Sequence, residues 1–322
     1  MRKAFVSAFV FLILLCLCLF FSGCDKTGTN QTDQSGAGNP AASSSTAEEP
    51  PDYSPLQVLV PQAPGEKTVG YAPLILDISN TDQGYCIAQA ESDSTRINLQ
   101  ILSPGDVTYS YFLNAGENAV IPFTCGNGTY QVTCYQQVKD DQYAALFAET
   151  LEVSLGNDFY PFLYPNQYVN FSPDSMASQK ALSILDENAS DIEALDVIYQ
   201  FVTGRITYDE EKAASVETGY LPDVDETLET GTGICFDYAA LTTAMLRSRD
   251  IPCKLQIGYS GTIKHAWIDV YIRSKGWVNK AISFDENTWT RMDPTFDSTS
   301  EDSESIQDYI GDGSNYTVQF TR

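Results

Sequence analysis

From residue 57 to 156 the apolar positions come in short runs of period two. Ile97, Leu99 and Ile101 alternate with polar neighbours and stop at Ser103-Pro104-Gly105. Val107, Tyr109, Tyr111 and Leu113 do the same and stop at Asn114-Ala115-Gly116. Such a period turns one face of each strand towards a core. Asn127-Gly128 predicts a hairpin turn, with Tyr130, Val132 and Cys134 sharing a face after it. Strands and turns at this spacing predict an all-β sandwich over residues 57–156. Beyond Ser172 the period lengthens. Ser172-Pro173-Asp174 can open a helix reaching about Asn188. Ser190 can cap another, with Ile192, Leu195, Ile198, Tyr199 and Val202 as its stripe and Gly204 as its end. Residues 209–229 carry eight acidic side chains and one lysine, the pattern of a solvated loop. A third stripe, Ala240, Leu241, Ala244 and Met245, leads to Arg247 and Arg249 and then Pro252. Residues 264–272 alternate again: Ala266, Ile268, Val270 and Ile272 face a core, and His265, Trp267, Asp269 and Tyr271 face the other way. The second half therefore mixes helices with strands.

Phe159, Tyr160, Phe162, Tyr164, Tyr168 and Phe171 crowd the linker at residues 157–172. Rings at this density read as a packed seam between domains, with a substrate platform as the sharper alternative. At the start of the chain, Arg2 and Lys3 precede an uncharged stretch from Ala4 to Phe21 and then Ser22, Gly23 and Cys24. A basic start, an apolar run and small residues describe an export signal. Phe21-Ser22-Gly23-Cys24 resembles a bacterial lipobox, with cleavage before Cys24 and lipid on its sulfur, although Phe21 stands where leucine is usual. An uncleaved membrane anchor is the alternative, since 18 residues just suffice to cross a bilayer. We therefore expect a signal peptide at 1–23, a flexible lipid-anchored tether at 24–56 rich in Ser, Thr, Gly and Ala, and the remainder on the outer face of the bacterial cytoplasmic membrane.

Charge narrows the partners. With 43 acidic against 18 basic residues the formal net charge is −25, so nucleic acid is not an expected partner. The expected partners are a protein or peptide substrate, cell-wall peptide among them, and the membrane through lipid on Cys24. No cofactor and no metal site is expected. Asp223, Asp225 and Glu226 are the acids to consider for calcium, but their spacing fits no loop motif. The chain has one histidine, His265, which removes histidine-rich metal sites. Of eight cysteines, Cys16 and Cys18 lie in the signal and Cys24 is the lipid site. Cys86, Cys125, Cys134, Cys235 and Cys253 remain. Cys134 and Cys253 read as small core residues, and a bridge among Cys86, Cys125 and Cys134 stays open.

Three segments carry candidate chemistry. Gly231-Thr-Gly-Ile-Cys235-Phe-Asp-Tyr238 places Cys235 at the start of the third helix, after two glycines that allow a tight turn and a close substrate approach. There the partial positive charge and free N–H groups favour a thiolate and can hold an oxyanion. His265 lies 30 residues on, on the polar side of its strand. Trp289, Arg291 and Asp293 share a face 24–28 residues further, and Asp293 on a neighbouring strand can accept the second imidazole N–H. Trp267 and Tyr238 are the candidates for the substrate cleft.

The order Cys, His, Asp at these separations is not that of papain, whose histidine lies far downstream, or of caspases, whose histidine lies upstream. The segments Gly231-x-Gly-Ile-Cys235-Phe-Asp-Tyr-Ala, His265-Ala-Trp267 and Asp293-Pro-Thr resemble the transglutaminase-like superfamily in its bacterial exported branch. Ile206-Thr-Tyr208, Arg249-Asp-Ile-Pro252 and Gly276-Trp277 support the match. The resemblance implies a papain-like α+β core within residues 173–322, with the cysteine on a helix packed against an antiparallel sheet that carries His265 and Asp293. It implies a thiol acyl-transferase, or an amide or peptide hydrolase, acting through a Cys235–His265–Asp293 triad and a thioester. A catalytically silent surface binding module and a cell-wall peptidase with the same triad are the alternatives.

Overall fold

The computed structural model describes residues 58–217, 219–278 and 316–322. Its first half is built of strands, with one 3-10 turn at Thr81–Gln83 between the second and third: β1 Thr68–Tyr71, β2 Leu74–Asp77, β3 Tyr85–Ala90, β4 Ile97–Leu102, β5 Thr108–Leu113, β6 Asn118–Pro122, β7 Gly128–Lys139 and β8 Gln142–Val153. They form two four-stranded antiparallel sheets, ordered β1-β2-β3-β6 and β5-β4-β7-β8. Leu74, Leu76 and Ile121 from one sheet and Ile97, Leu99, Tyr111, Val132 and Cys134 from the other close a single core. The alternation read at β4 and β5 is the burial pattern observed, as is the shared face of Tyr130, Val132 and Cys134. The Ser103-Pro104-Gly105 turn joins β4 to β5. Asn127-Gly128 is not a hairpin. It leads from β6 into the first residue of β7, strands that belong to different sheets, and the Asn127 carboxamide oxygen instead accepts the Leu155 N–H at 2.6 Å.

The second half follows the order α1 Met176–Ile184, α2 Asp191–Arg205, β9 Thr207–Tyr208, α3 Glu210–Ser215, α4 Val224–Thr230, β10 Thr232–Gly233, α5 Cys235–Arg247, β11 Cys253–Ser260, β12 Ile263–Ile272, β13 Gly276–Val278 and β14 Tyr316–Thr321. α2 begins as expected. The Ser190 hydroxyl accepts the Glu193 N–H and the Glu193 carboxylate accepts the Ser190 N–H, a reciprocal cap. The acidic run at 209–229 departs from expectation, because it holds α3 and α4 rather than a solvated loop. Its acids act as caps: Asp209 accepts the Lys212 N–H, Asp223 those of Asp225 and Glu226, and Asp225 those of Met176 and Ala177 at the start of α1. A helix N-terminus calls for acceptors, so a run of carboxylates suits two short helices as well as it suits solvent. Among the described residues no three His, Cys, Asp or Glu side chains gather as a metal site.

α5 is the centre of this half. Every residue from Asp237 to Arg247 is buried, under α1, α2 and α4 on one side and β11 and β12 on the other. Its stripe of Ala240, Leu241, Ala244 and Met245 is only part of a helix enclosed on all sides. The sheet against it is β13-β12-β11-β14. Its outermost strand, β14, comes from the end of the described chain and pairs antiparallel with β11. The aromatic linker is a seam. Phe159 meets Tyr271 at 4.2 Å between ring centroids, Phe162 meets Trp277 at 5.3 Å, and Tyr164 meets Tyr85 of the β-sandwich at 4.7 Å. Among the described residues no helix is long and apolar enough to cross a membrane, and the stretch at 4–21 lies outside them.

Cys86, Cys125, Cys134, Cys235 and Cys253 are all free thiols, so the bridge left open among the first three is not formed. Burial pushes Cys86, Cys134 and Cys253 up to about 12, whereas Cys125 and Cys235 are half-buried. A thiol held that high carries almost no thiolate at pH 8. Of these five, only Cys125 and Cys235 should take up iodoacetamide from the native protein at pH 8, and all five after denaturation without reductant. Mass spectrometry of mapped peptides checks this, and a rapid native adduct on Cys86, Cys134 or Cys253 would contradict it.

Candidate active site

Cys235 is the first residue of α5, and three local devices place it there. α4 ends at Gly231, whose φ of +69° is the left-handed conformation that terminates helices. β10 then pairs in parallel with β9, through Thr207 N–H to Gly231 C=O at 2.9 Å and Asp209 N–H to Gly233 C=O at 3.0 Å. Finally the Asp237 carboxylate accepts the Ile234 N–H at 2.8 Å and closes the first turn of the helix. Gly233 has no room for a side chain, since a Cβ would sit 2.7 Å from that of Asp237. The Ile206-Thr-Tyr208 segment therefore matters as the partner of the turn before Cys235. Tyr238 completes the anchorage by donating its hydroxyl to the Ile206 carbonyl at 2.6 Å.

Asp237 is fully buried and its charge is met. The Lys212 ammonium of α3 lies 2.8 Å from one carboxylate oxygen, and the Tyr220 hydroxyl donates to the other at 2.5 Å. The Tyr220 ring also stands edge-on to Phe236 at 6.3 Å. Burial, then the hydrogen bond to Asp237, pushes Tyr220 up to about 12. Partial burial works against the Lys212 ammonium, but its contacts with Asp237 and Tyr220 together outweigh that and raise its pKa above the ordinary lysine value. Neither residue stood out in the sequence. The only signal was that Lys212 is the single cation of the acidic run.

His265 lies on β12, opposite Gly258 of β11, and α5 packs against both strands. The alternation of β12 is as read, with Ala266, Ile268, Val270 and Ile272 in the helical core. The opposite face is not open, however. His265 and Asp269 are buried, and Trp267 is 1% exposed. Tyr316 of β14 covers this face, edge-on to Trp267 at 4.9 Å and 6.1 Å from the imidazole centroid. Asp269 accepts a hydrogen bond from the buried Gln256 amide at 2.6 Å.

Two expectations for the cleft are corrected. Tyr238 is wholly buried with its hydroxyl committed to backbone, and Trp267 is packed beneath Tyr316, so both are core residues rather than cleft walls. Asp293 lies outside the described residues, as do Trp289, Arg291 and Cys24.

A half-buried cysteine thus opens a buried helix, and a histidine-bearing antiparallel sheet packs on that helix. Residues 178–294 match the family model of the transglutaminase-like superfamily. No curated protein matches the chain. Among solved structures, a candidate cysteine protease from Cytophaga hutchinsonii is similar at 15% identity and a TM-score of 0.36, over 74% of this chain and 79% of that one. A candidate protease from Parabacteroides distasonis is similar at 12% identity and a TM-score of 0.27, over 63% of this chain and 61% of that one. The chain thus spans about three fifths of the length of the second protein.

Proposed function

We propose that this is an exported thiol enzyme, held at the outer face of the cytoplasmic membrane by lipid on Cys24, that acts on amide bonds of protein or peptide substrates. The observation that carries the reading is Cys235 itself, half-buried as the first residue of a helix packed on the strand of the chain's only histidine. The Cys235 thiolate attacks the carbonyl carbon, and its own backbone N–H helps to hold the oxyanion. As the C–N bond breaks, the His265 imidazolium gives its proton to the departing amine. Asp293 orients the imidazole as the third member of the triad. The thioester left on Cys235 is then resolved by water, giving a carboxylic acid and the free thiol, or by a primary amine, giving a new amide. Lipid anchorage rests on Phe21-Ser22-Gly23-Cys24 and the apolar run before it.

The test is to trap the thioester. The full-length chain is incubated with glutamine-containing peptides and with muropeptides, with and without a primary amine. Acid quenching and peptide mapping then follow. We expect an acyl adduct on Cys235 from one of these amide classes, absent in Cys235→Ala. Faster turnover with the amine present identifies acyl transfer, and turnover indifferent to it identifies hydrolysis. Failure of every amide to acylate Cys235 would contradict the proposal.

A further inference from the structure

Asp237 poses an electrostatic problem for Cys235. A carboxylate two residues beyond the helix start lies within the first turn, where its negative charge opposes a second negative charge on the sulfur. It is also fully buried, so solvent does not screen it. The carboxylate is needed all the same, because it closes the turn by accepting the Ile234 N–H. Both demands are met if its charge is cancelled locally, and the groups that do so come from the segment between β9 and α4. Lys212 supplies a full positive charge at 2.8 Å, and Tyr220 a hydroxyl donor at 2.5 Å. The Lys212 ammonium also lies 4.7 Å from the centroid of the Tyr220 ring, so the two hold each other as well as Asp237.

We propose that Lys212 and Tyr220 are positioning residues for Cys235, cancelling the charge of Asp237 so that the field of the α5 N-terminus is left to the thiolate. The inference rests on Cys235 being the nucleophile. Other charges around this helix end are accounted for. Asp209 accepts the Lys212 backbone N–H, and Glu211 of α3 and Glu226 of α4 line the pocket that Lys212 also lines. Arg205 of α2 is engaged with the Leu228 and Glu229 carbonyls. β12 contributes His265, which belongs to the proposed mechanism, and Asp269, which is engaged with Gln256. Of these groups, Lys212 alone forms an ion pair with Asp237 among the described residues.

The test is the iodoacetamide alkylation rate of Cys235 against pH in the full-length chain, read by peptide mapping, with thermal melting to confirm folding. Lys212→Met should move the profile up by about one pH unit, roughly a tenfold loss of rate below the midpoint. Lys212→Arg should stay close to wild type. Tyr220→Phe should move the profile up by less. Asp237→Asn should move it down, because Lys212 then acts on the sulfur unopposed. The Lys212→Met/Asp237→Asn double variant should return close to the wild-type profile, a rescue that a purely structural role for Lys212 does not give. If Lys212→Met does not fold, the downward shift of Asp237→Asn carries the test. Unshifted profiles in Lys212→Met and Asp237→Asn, or a double variant no closer to wild type than Lys212→Met, would overturn the inference. A wild-type Cys235 already unreactive near pH 6 would instead overturn the reading of Cys235 as nucleophile.

Discussion

Replacing Arg247 with methionine is expected to lower the unfolding free energy by about 3–5 kcal/mol. Arg247 closes α5 and is 2% exposed. Its guanidinium donates to the Cys253 carbonyl at 3.0 and 2.8 Å, to the Tyr164 carbonyl at 2.8 Å and to the Arg322 carbonyl at 2.9 Å. One side chain thus joins the helix of Cys235 to the start of β11, to the aromatic seam and to Arg322, the residue after β14. Burial pushes its pKa down to about 10, so it remains charged at neutral pH. Methionine fills much of the volume but supplies no donor, and carbonyls placed for a cation are left short of partners in a dry interior. A domain holds only about 5–15 kcal/mol in total, so the loss should be plain as a lower urea midpoint at unchanged slope. Arg247→Lys keeps the charge without the planar fork and should recover only part of it. A loss below about 1 kcal/mol in Arg247→Met would show that the network is not structural.

His265→Ala is expected to slow acylation of Cys235 by an amide substrate by about 10²–10⁴-fold. An amine is a poor leaving group until it is protonated, and the chain has no second imidazole to take over. Iodoacetamide needs no protonated leaving group, so its rate should fall less than that of the amide. The two reagents therefore separate loss of thiolate from loss of general acid. Equal falls with both would mean that His265 serves only to ionise the thiol. An unchanged amide rate would remove it from the mechanism. Trp267 and Tyr316 pack close to the imidazole, so melting curves must accompany the kinetics.

The parts of this fold legible in the sequence are those set by local rules. Ser190 announces the start of α2, strict alternation announces β4, β5 and β12, and the two glycines before Cys235 announce a turn into a helix. What failed was set by pairing across distance. β14 joins β11 from some 60 residues away, and nothing in Tyr316–Thr321 names its partner. Once β14 and the aromatic seam cover the second face of β12, the polar parity of His265 and Asp269 no longer means exposure. Asn127-Gly128 has turn chemistry, but the choice between a hairpin and a crossing to the other sheet depends on how the sheets stack. Carboxylates at 209–229 suit both solvent and helix caps, and only the folded partners of Asp223 and Asp225 distinguish the two. The site shows the same division. The spacing of Cys235 and His265 was visible along the chain, whereas the burial of Tyr238 and the ion pair of Lys212 with Asp237 were not.

The central claim is that Cys235 is an activated thiol paired with His265, and the most direct measurement is its iodoacetamide alkylation rate across pH 5–9, mapped by peptide and repeated in His265→Ala. The account predicts rapid alkylation of Cys235 persisting below pH 7 and lost in the variant, with half-buried Cys125 in the same sample as the internal comparison. Alkylation of Cys235 that rises only near the ordinary thiol value of ~8.5, alike in both proteins, would contradict it.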